Sequence, residues 1–262
     1  MIYLPVHRLL PCGILVLEII IIPRPSERPL LQNLTQYLFT VSAIQRERTY
    51  FMTKKQRALA VIERLKQEYP EASCTLAYED AWQLLVSVRL AAQCTDARVD
   101  QITPLLYEKF PSVAALAAAE PEEIEAIVRP CGLGPSKARD ISKCMRVLHE
   151  QYNDQVPTTF EELLALPGVG RKSANLVMGD VFGKPAIVTD THCIRLCNLI
   201  GLVDNIKEPA KVERELWKII PPEEGNDLCH RFVLHGRAVC VARRPQCDAC
   251  CLREVCKYGM SR

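Results

Sequence analysis

Four cysteines and one lysine carry the clearest chemical signal in this 262-residue chain. Cys240, Cys247, Cys250 and Cys256 follow a C-x6-C-x2-C-x5-C spacing. Four thiolates so close in sequence suit either a tetrahedral zinc or an iron–sulfur cluster. Cys251 adjoins this set and reads as a bystander, although it could compete as a ligand. Arg243 and Arg244 lie in the six-residue loop between the first two cysteines. Closing that loop on a metal would present both side chains outward, either to a phosphate or simply to water.

The lysine is Lys172, just after Leu166-Pro167-Gly168-Val169-Gly170-Arg171. Thr158 with Glu161, or Thr159 with Glu162, forms a capping-box pattern ahead of a short helix carrying Phe160, Leu163 and Leu164. The Pro-Gly-Val-Gly break ends that helix. A second helix follows, with Ala174, Val177, Met178 and Val181 on one face. Gly168 and Gly170 would let backbone N–H groups approach a phosphate with no Cβ in the way. The second helix's positive end would face the same spot. A plain packing corner between two helices would read identically.

At the start of a helix, Lys172 has its charge disfavoured by the dipole, and partial burial would add to that. Both effects lower a lysine's pKa and free the amine as a nucleophile. From these residues alone, an exposed lysine touching a phosphate, like Arg171 beside it, is the simpler reading. Asp190, in Val188-Thr189-Asp190-Thr191-His192, looks like a helix N-cap. It also ends the apolar stretch Ala186-Ile187-Val188, so it could face a pocket and stabilise positive charge or move a proton.

The elements that must hold these residues read as helices. The pattern predicts helices over 53–68, 80–94, 96–110 (kinked at Pro104), 112–118, 121–129 and 135–152. Thr53 caps the first, with Leu59, Ile62 and Leu65 at helical spacing. No period-two run stands out, so the fold class is all-α. Residues 1–51 read differently. Leu9–Ile22 is apolar but broken by Pro11, Gly13 and Glu18, too short and interrupted for a membrane span and a poor match to a signal peptide. They read as an extension, disordered or dispensable, ahead of a domain that starts at Met52.

The net charge is +2, far from that of a protein that coats nucleic acid. The first 51 residues hold five arginines and three glutamates, leaving 28 basic and 28 acidic residues after them. Any DNA binding must then come from a local patch or from backbone dipoles. The thirteen cysteines are odd in number, and eight of them (Cys12, Cys74, Cys94, Cys131, Cys144, Cys193, Cys197, Cys229) have no framework spacing. That pattern fits a reducing compartment such as the cytoplasm.

Taken together, Leu166–Lys172, Val188–His192 and the cysteine spacing resemble the endonuclease III family of helix-hairpin-helix DNA glycosylases. The order and intervals match from about Met52 to Cys256. The resemblance implies a [4Fe–4S] cluster on the four cysteines, Lys172 as nucleophile and Asp190 as its catalytic partner. It implies a two-domain all-α architecture, with a six-helix domain over 74–184, a cluster domain joining 52–73 to 185–262, and a DNA cleft between them. Ala91-Ala92-Gln93 is similar to the family's Ser-Ala-Gln segment, which assigns Gln93 to the hole left by an extruded nucleotide. Cys131-Gly132-Leu133 resembles the loop whose leucine wedges into the opposite strand. Thr189 departs from the apolar residue usual before the aspartate.

The implied activity is removal of oxidised pyrimidines followed by strand cleavage 3′ to the abasic site. The implied partner is double-stranded DNA carrying a damaged base or an abasic site, bound by a monomer at the nucleoid with no membrane involved. Two other readings compete: a non-catalytic iron–sulfur DNA-binding module and a monofunctional mismatch glycosylase. A Schiff-base assay separates either from a lyase, and colour separates an iron–sulfur protein from a zinc protein.

Overall fold

A computed structural model describes the backbone of residues 2–9 and 15–22 and the whole of residues 52–262. Strands β1 (Ile2–Leu9) and β2 (Leu15–Ile22) pair antiparallel, Ile2 opposite Ile22 and Leu9 opposite Leu15. This hairpin is the exception to the helical expectation. Its apolar residues run continuously instead of alternating, so periodicity gives no strand signal, yet the Ile19–Ile22 run has strong β propensity. The remainder of 1–51, read as a disordered or dispensable extension, lies outside the described residues. No helix among the described residues is long and apolar enough to cross a membrane.

From residue 52 onward every regular element is helical. Helix α1 (Lys54–Glu68) begins with a Thr53–Gln56 capping box and buries Ala58, Val61, Ile62 and Leu65. Leu59, expected on that stripe, is 45% exposed; the buried face is centred one residue earlier. Helix α2 (Ala81–Leu90) is shorter than the expected 80–94 and carries Leu84, Leu85, Val86, Val88 and Leu90 into the core. It cannot run on to 94, because Gln93 takes a left-handed φ of 56°, which no α-helix accommodates. Helix α3 (Asp96–Lys109) runs through Pro104 as one assigned helix.

Short helices α4 (Val113–Ala118) and α5 (Pro121–Val128) lead through a 3₁₀ turn at Arg129–Cys131 into α6 (Gly134–Tyr152). Helices α7 (Phe160–Ala165) and α8 (Arg171–Asp180) form the hairpin. Beyond it come α9 (Thr191–Ile200), α10 (Pro209–Leu216), α11 (Gly225–Ala238) and α12 (Lys257–Met260).

The chain divides into two compact units. One comprises Ala72–Asp190 and Pro221–His230, and so contains α2 to α8. The other comprises Met1–Glu71, Thr191–Ile220 and Arg231–Arg262. In the first, α6 is the central helix, burying Ala138, Ile141, Cys144, Met145 and Leu148. In the second, α1 and the C-terminal segment are joined by arginines. The buried Arg57 donates to the Val255 carbonyl, and Arg64 donates to the Cys251 carbonyl at 2.8 Å.

Candidate active site and cysteine cluster

The hairpin forms where the sequence places it. Thr159, not Thr158, caps α7 by accepting from the Glu162 N–H at 3.3 Å. The turn closes through Leu166 N–H to Leu163 O (3.2 Å) and Val169 N–H to Leu166 O (3.1 Å). Leu163 and Leu166 are buried, whereas Leu164 is 37% exposed and leaves the expected apolar face. On α8, Ala174 and Val177 are fully buried and Met178 half-buried, as is Val181 just past its end.

The far end of α8 is held by a buried network. Asp180 accepts from His230 Nε2 at 2.7 Å and from Asn226 Nδ2 at 2.9 Å. Gly179 lets Asn226 approach, since a Cβ there would sit 2.2 Å from its Oδ1. The helix carrying Lys172 is therefore held at its C-terminal end.

The two hairpin glycines differ in cause. Gly168 has φ +75°, and a Cβ on it would meet the Asp140 Cβ at 2.8 Å. Asp140 cannot easily yield, because Arg89 holds its carboxylate at 2.6 and 2.8 Å. Gly170, the residue before α8, is extended (φ −99°, ψ 175°), and a Cβ there would meet nothing within 4 Å. The fold needs glycine at 168; at 170 only an approaching ligand would. Gly168→Ala should lose roughly 1–2 kcal/mol or more from the left-handed backbone alone. Gly170→Ala should lose at most about 1 kcal/mol of stability, as an N-cap change, but weaken duplex binding about tenfold by holding a phosphate off the helix end. Thermal melts paired with fluorescence anisotropy check both, and an unchanged affinity in Gly170→Ala would remove the hairpin from phosphate binding.

Lys172 is exposed in the first turn of α8, so the expected partial burial is not found. Arg171 beside it is exposed and stacks over Phe160, 4.9 Å from the ring centre. Asp190 is half-buried, directly precedes α9, and follows the buried run Ala186–Thr189. Its N–H turns back to the Val188 carbonyl at 3.0 Å. Thr189, the departure noted in the sequence, is 5% exposed and so packs as an apolar residue would. Lys172 and Asp190 belong to the same compact unit.

Gln93 and Leu133 share two unusual properties. Each is exposed, Leu133 by 51%, and each is a non-glycine residue at positive φ (56° and 52°). Holding such residues in left-handed backbone costs roughly 1–2 kcal/mol each, a strain that points to function when it sits on exposed loop tips. Gly132, at φ 74°, makes the turn that presents Leu133.

The four cysteines line one cavity, together with Leu199, Val239 and Tyr258; Cys251 is not among its lining residues. Among the described residues, no three His, Cys, Asp or Glu side chains converge tightly enough to hold a single metal ion. The thiols surround a space instead of meeting at a point. Burial pushes the Cys240, Cys250 and Cys256 thiols up, Cys250 to about 11. Bound metal would reverse this by displacing the protons. Backbone N–H groups already point at the sulfurs, as in Gly259 N–H to Cys256 Sγ at 3.3 Å. Four soft donors lining one cavity, three part-buried and Cys256 buried, fit an iron–sulfur cluster.

Arg243 and Arg244 are exposed in the loop between Cys240 and Cys247. Gln246 closes its base, its N–H donating to Val239 O at 3.0 Å and its side chain to Ala238 O at 3.2 Å.

The sequence gives no hint of two residues around this cavity. His235 is 1% exposed, its Nε2 lies 3.4 Å from Cys250 Sγ, and its Nδ1 lies 3.2 Å from the Tyr69 hydroxyl. Burial lowers its pKa to about 4, so the ring is neutral. Arg195 donates to the Cys240 carbonyl at 2.7 Å and the Gly236 carbonyl at 3.1 Å. Only the five-residue interval from His235 to Cys240 could have flagged the first.

Comparison with known proteins agrees with this geometry. Residues 86–222 match the model of the HhH-GPD superfamily base excision DNA repair proteins. Endonuclease III of Synechocystis is 43% identical over 78% of this chain and 93% of its own length. The chain belongs to the endonuclease III family. A second family member, endonuclease III of Escherichia coli K12, is 38% identical over 78% of this chain and 96% of its own. Among solved structures, a trapped endonuclease III–DNA covalent intermediate superposes with a TM-score of 0.76 at 40% identity, covering 80% of this chain and 99% of that one. A thermostable thymine-DNA glycosylase shares the fold at TM-score 0.69 and 21% identity.

Proposed function

We propose that this chain is a base-excision DNA glycosylase with abasic-site lyase activity, taking oxidised pyrimidines from duplex DNA, with Lys172 as nucleophile and Asp190 as its partner. The observation that carries the assignment is a lysine exposed at the N-terminal turn of a buried, anchored hairpin helix, in a family whose members include a trapped covalent DNA intermediate. The family makes it an enzyme of DNA repair. The residue roles rest on the placement of these side chains.

Gly168, Gly170 and the start of α8 would take a backbone phosphate, with Arg171 beside them. Arg243 and Arg244 would take another through the cysteine loop. Gln93 and Leu133 would fill the stack vacated by the extruded nucleotide, which lowers the cost of flipping it. The Lys172 amine attacks C1′ and the base leaves with the bond electrons. Asp190 stabilises the positive charge developing on the sugar and passes a proton. The C1′–O4′ bond then opens, O4′ taking a proton, to leave an iminium at C1′; this acidifies the C2′ proton, whose loss expels the 3′ phosphate and breaks the strand there. Water then frees the lysine.

The cavity lined by Cys240, Cys247, Cys250 and Cys256 would hold a [4Fe–4S] cluster, which when bound supplies a structural crosslink. No step above needs an electron. The enzyme would act as a monomer, with DNA at the nucleoid as its working environment.

The test is borohydride trapping on a duplex with one oxidised pyrimidine. A covalent adduct on a denaturing gel is expected. Folded, brown protein that gives no adduct on the lesion or on an abasic site would leave a binder or a monofunctional glycosylase.

A further inference from the structure

Lys137 is the most deeply buried charge in its unit that the proposed mechanism does not use. Its side chain is 0% exposed, in the first turn of α6. Its ammonium donates to two carbonyls from different parts of the chain, Leu90 and Cys131, each at 2.8 Å. Its own backbone N–H donates to the Leu133 carbonyl at 3.0 Å.

Those acceptors are not scattered. Leu90 is the last residue of α2, three before Gln93, and Cys131 ends the 3₁₀ turn two before Leu133. One residue thus bonds to the roots of both loops whose tips are exposed and left-handed. The loops are also neighbours, since the Cys94 thiol lies near enough to Cys131 to add to the rise in pKa that burial causes there. An ammonium is a compact donor with several N–H bonds to offer, so it can satisfy two carbonyl ends that no backbone N–H reaches. The usual hydrophobic solution to such a corner would leave both carbonyls without a partner.

We infer that Lys137 is a positioning residue for nucleotide extrusion: it fixes the spacing between the Gln93 and Leu133 loops so that both tips enter the duplex together. The inference rests on the reading that these two side chains fill the vacated stack. Its consequence is selective. A loop pair with a loosened spacing should handicap reaction wherever a base must leave a stack, and spare reaction at a site with no stack to open.

The experiment compares Lys137→Met with wild type under single-turnover conditions on two substrates. One is a duplex with a single oxidised pyrimidine; the other is a single-stranded oligonucleotide with an abasic site. The ratio of the two rates is expected to fall 30-fold or more in Lys137→Met. 2-Aminopurine placed opposite the lesion should show a correspondingly slower fluorescence rise. Lys137→Gln, which keeps one amide donor, should fall between. Equal losses on both substrates, or a ratio within threefold of wild type, overturn the inference and leave Lys137 with the fold alone. So does failure of both variants to fold. Gln93→Ala and Leu133→Ala in the wild-type background isolate the underlying reading. If neither lowers the ratio, the loops do not fill the stack and the inference falls with them. If wild type cleaves neither substrate, the functional assignment itself fails.

Discussion

Lys172→Gln is expected to bind lesion duplex within about threefold of wild type and to lose strand cleavage by at least about a thousandfold. The asymmetry follows from position. Lys172 is exposed in the first turn of α8, so its side chain is not part of the packing that supports the helix. What holds that helix lies at its other end, in Asp180, His230 and Asn226. The glutamine should therefore leave the hairpin intact while removing the amine to which the iminium is assigned. Binding should survive because the phosphate contacts assigned to Gly168, Gly170 and Arg171 are untouched. Borohydride trapping, cleavage on abasic duplex and anisotropy measured together decide it. A variant that still nicks abasic duplex at the normal rate removes Lys172 from the role. Lys172→Arg is not a substitute control, because a guanidinium neither forms a Schiff base nor leaves the site uncharged. Asp190→Asn should lower cleavage less, since it supports charge without making the bond.

How much of this could be read from the sequence depends on the range over which each feature is encoded. The hairpin and the cysteine set are local. Pro167-Gly168-Val169-Gly170 breaks one helix and starts another within a few residues, and four thiols within seventeen positions imply a common ligand. Backbone conformation was less accessible. Gln93 looked like part of a helix over 80–94, and only its positive φ shows that α2 ends at Leu90 and that the glutamine stands on a turn. Leu59 looked like a core residue because its spacing from Ile62 is helical; which side of that stripe meets the rest of the unit is a tertiary matter. Lys137 and His235 were invisible for the same reason. Lys137 acts on a carbonyl 47 residues away, and His235 on a sulfur 15 residues away. Neither interval has a periodicity, and a lysine in the first turn of a helix reads by default as a solvated one.

Loss of a cysteine from the cavity should be the other large effect. Cys256→Ser is expected to abolish the brown absorbance and bound iron, and to destabilise the C-terminal segment by several kcal/mol, a large share of the 5–15 kcal/mol that holds a domain together. The serine can still cap α12, as the Cys256 sulfur does by accepting from Gly259 N–H at 3.3 Å. It cannot supply a soft thiolate. What the change isolates is ligation, not capping. The remaining ties between this segment and α1 include the Arg57 bond to Val255 and the Arg64 bonds to Cys251 and Glu254. With the crosslink gone, the loop bearing Arg243 and Arg244 should open to trypsin and duplex affinity should fall with it. Cys251→Ser is the matched control. Its sulfur does not line the cavity, so it should keep full iron and sulfide content. Iron retained in Cys256→Ser, or lost in Cys251→Ser, would show the ligand set to be wrong. A colourless wild-type protein holding zinc would keep the four ligands and replace the cluster.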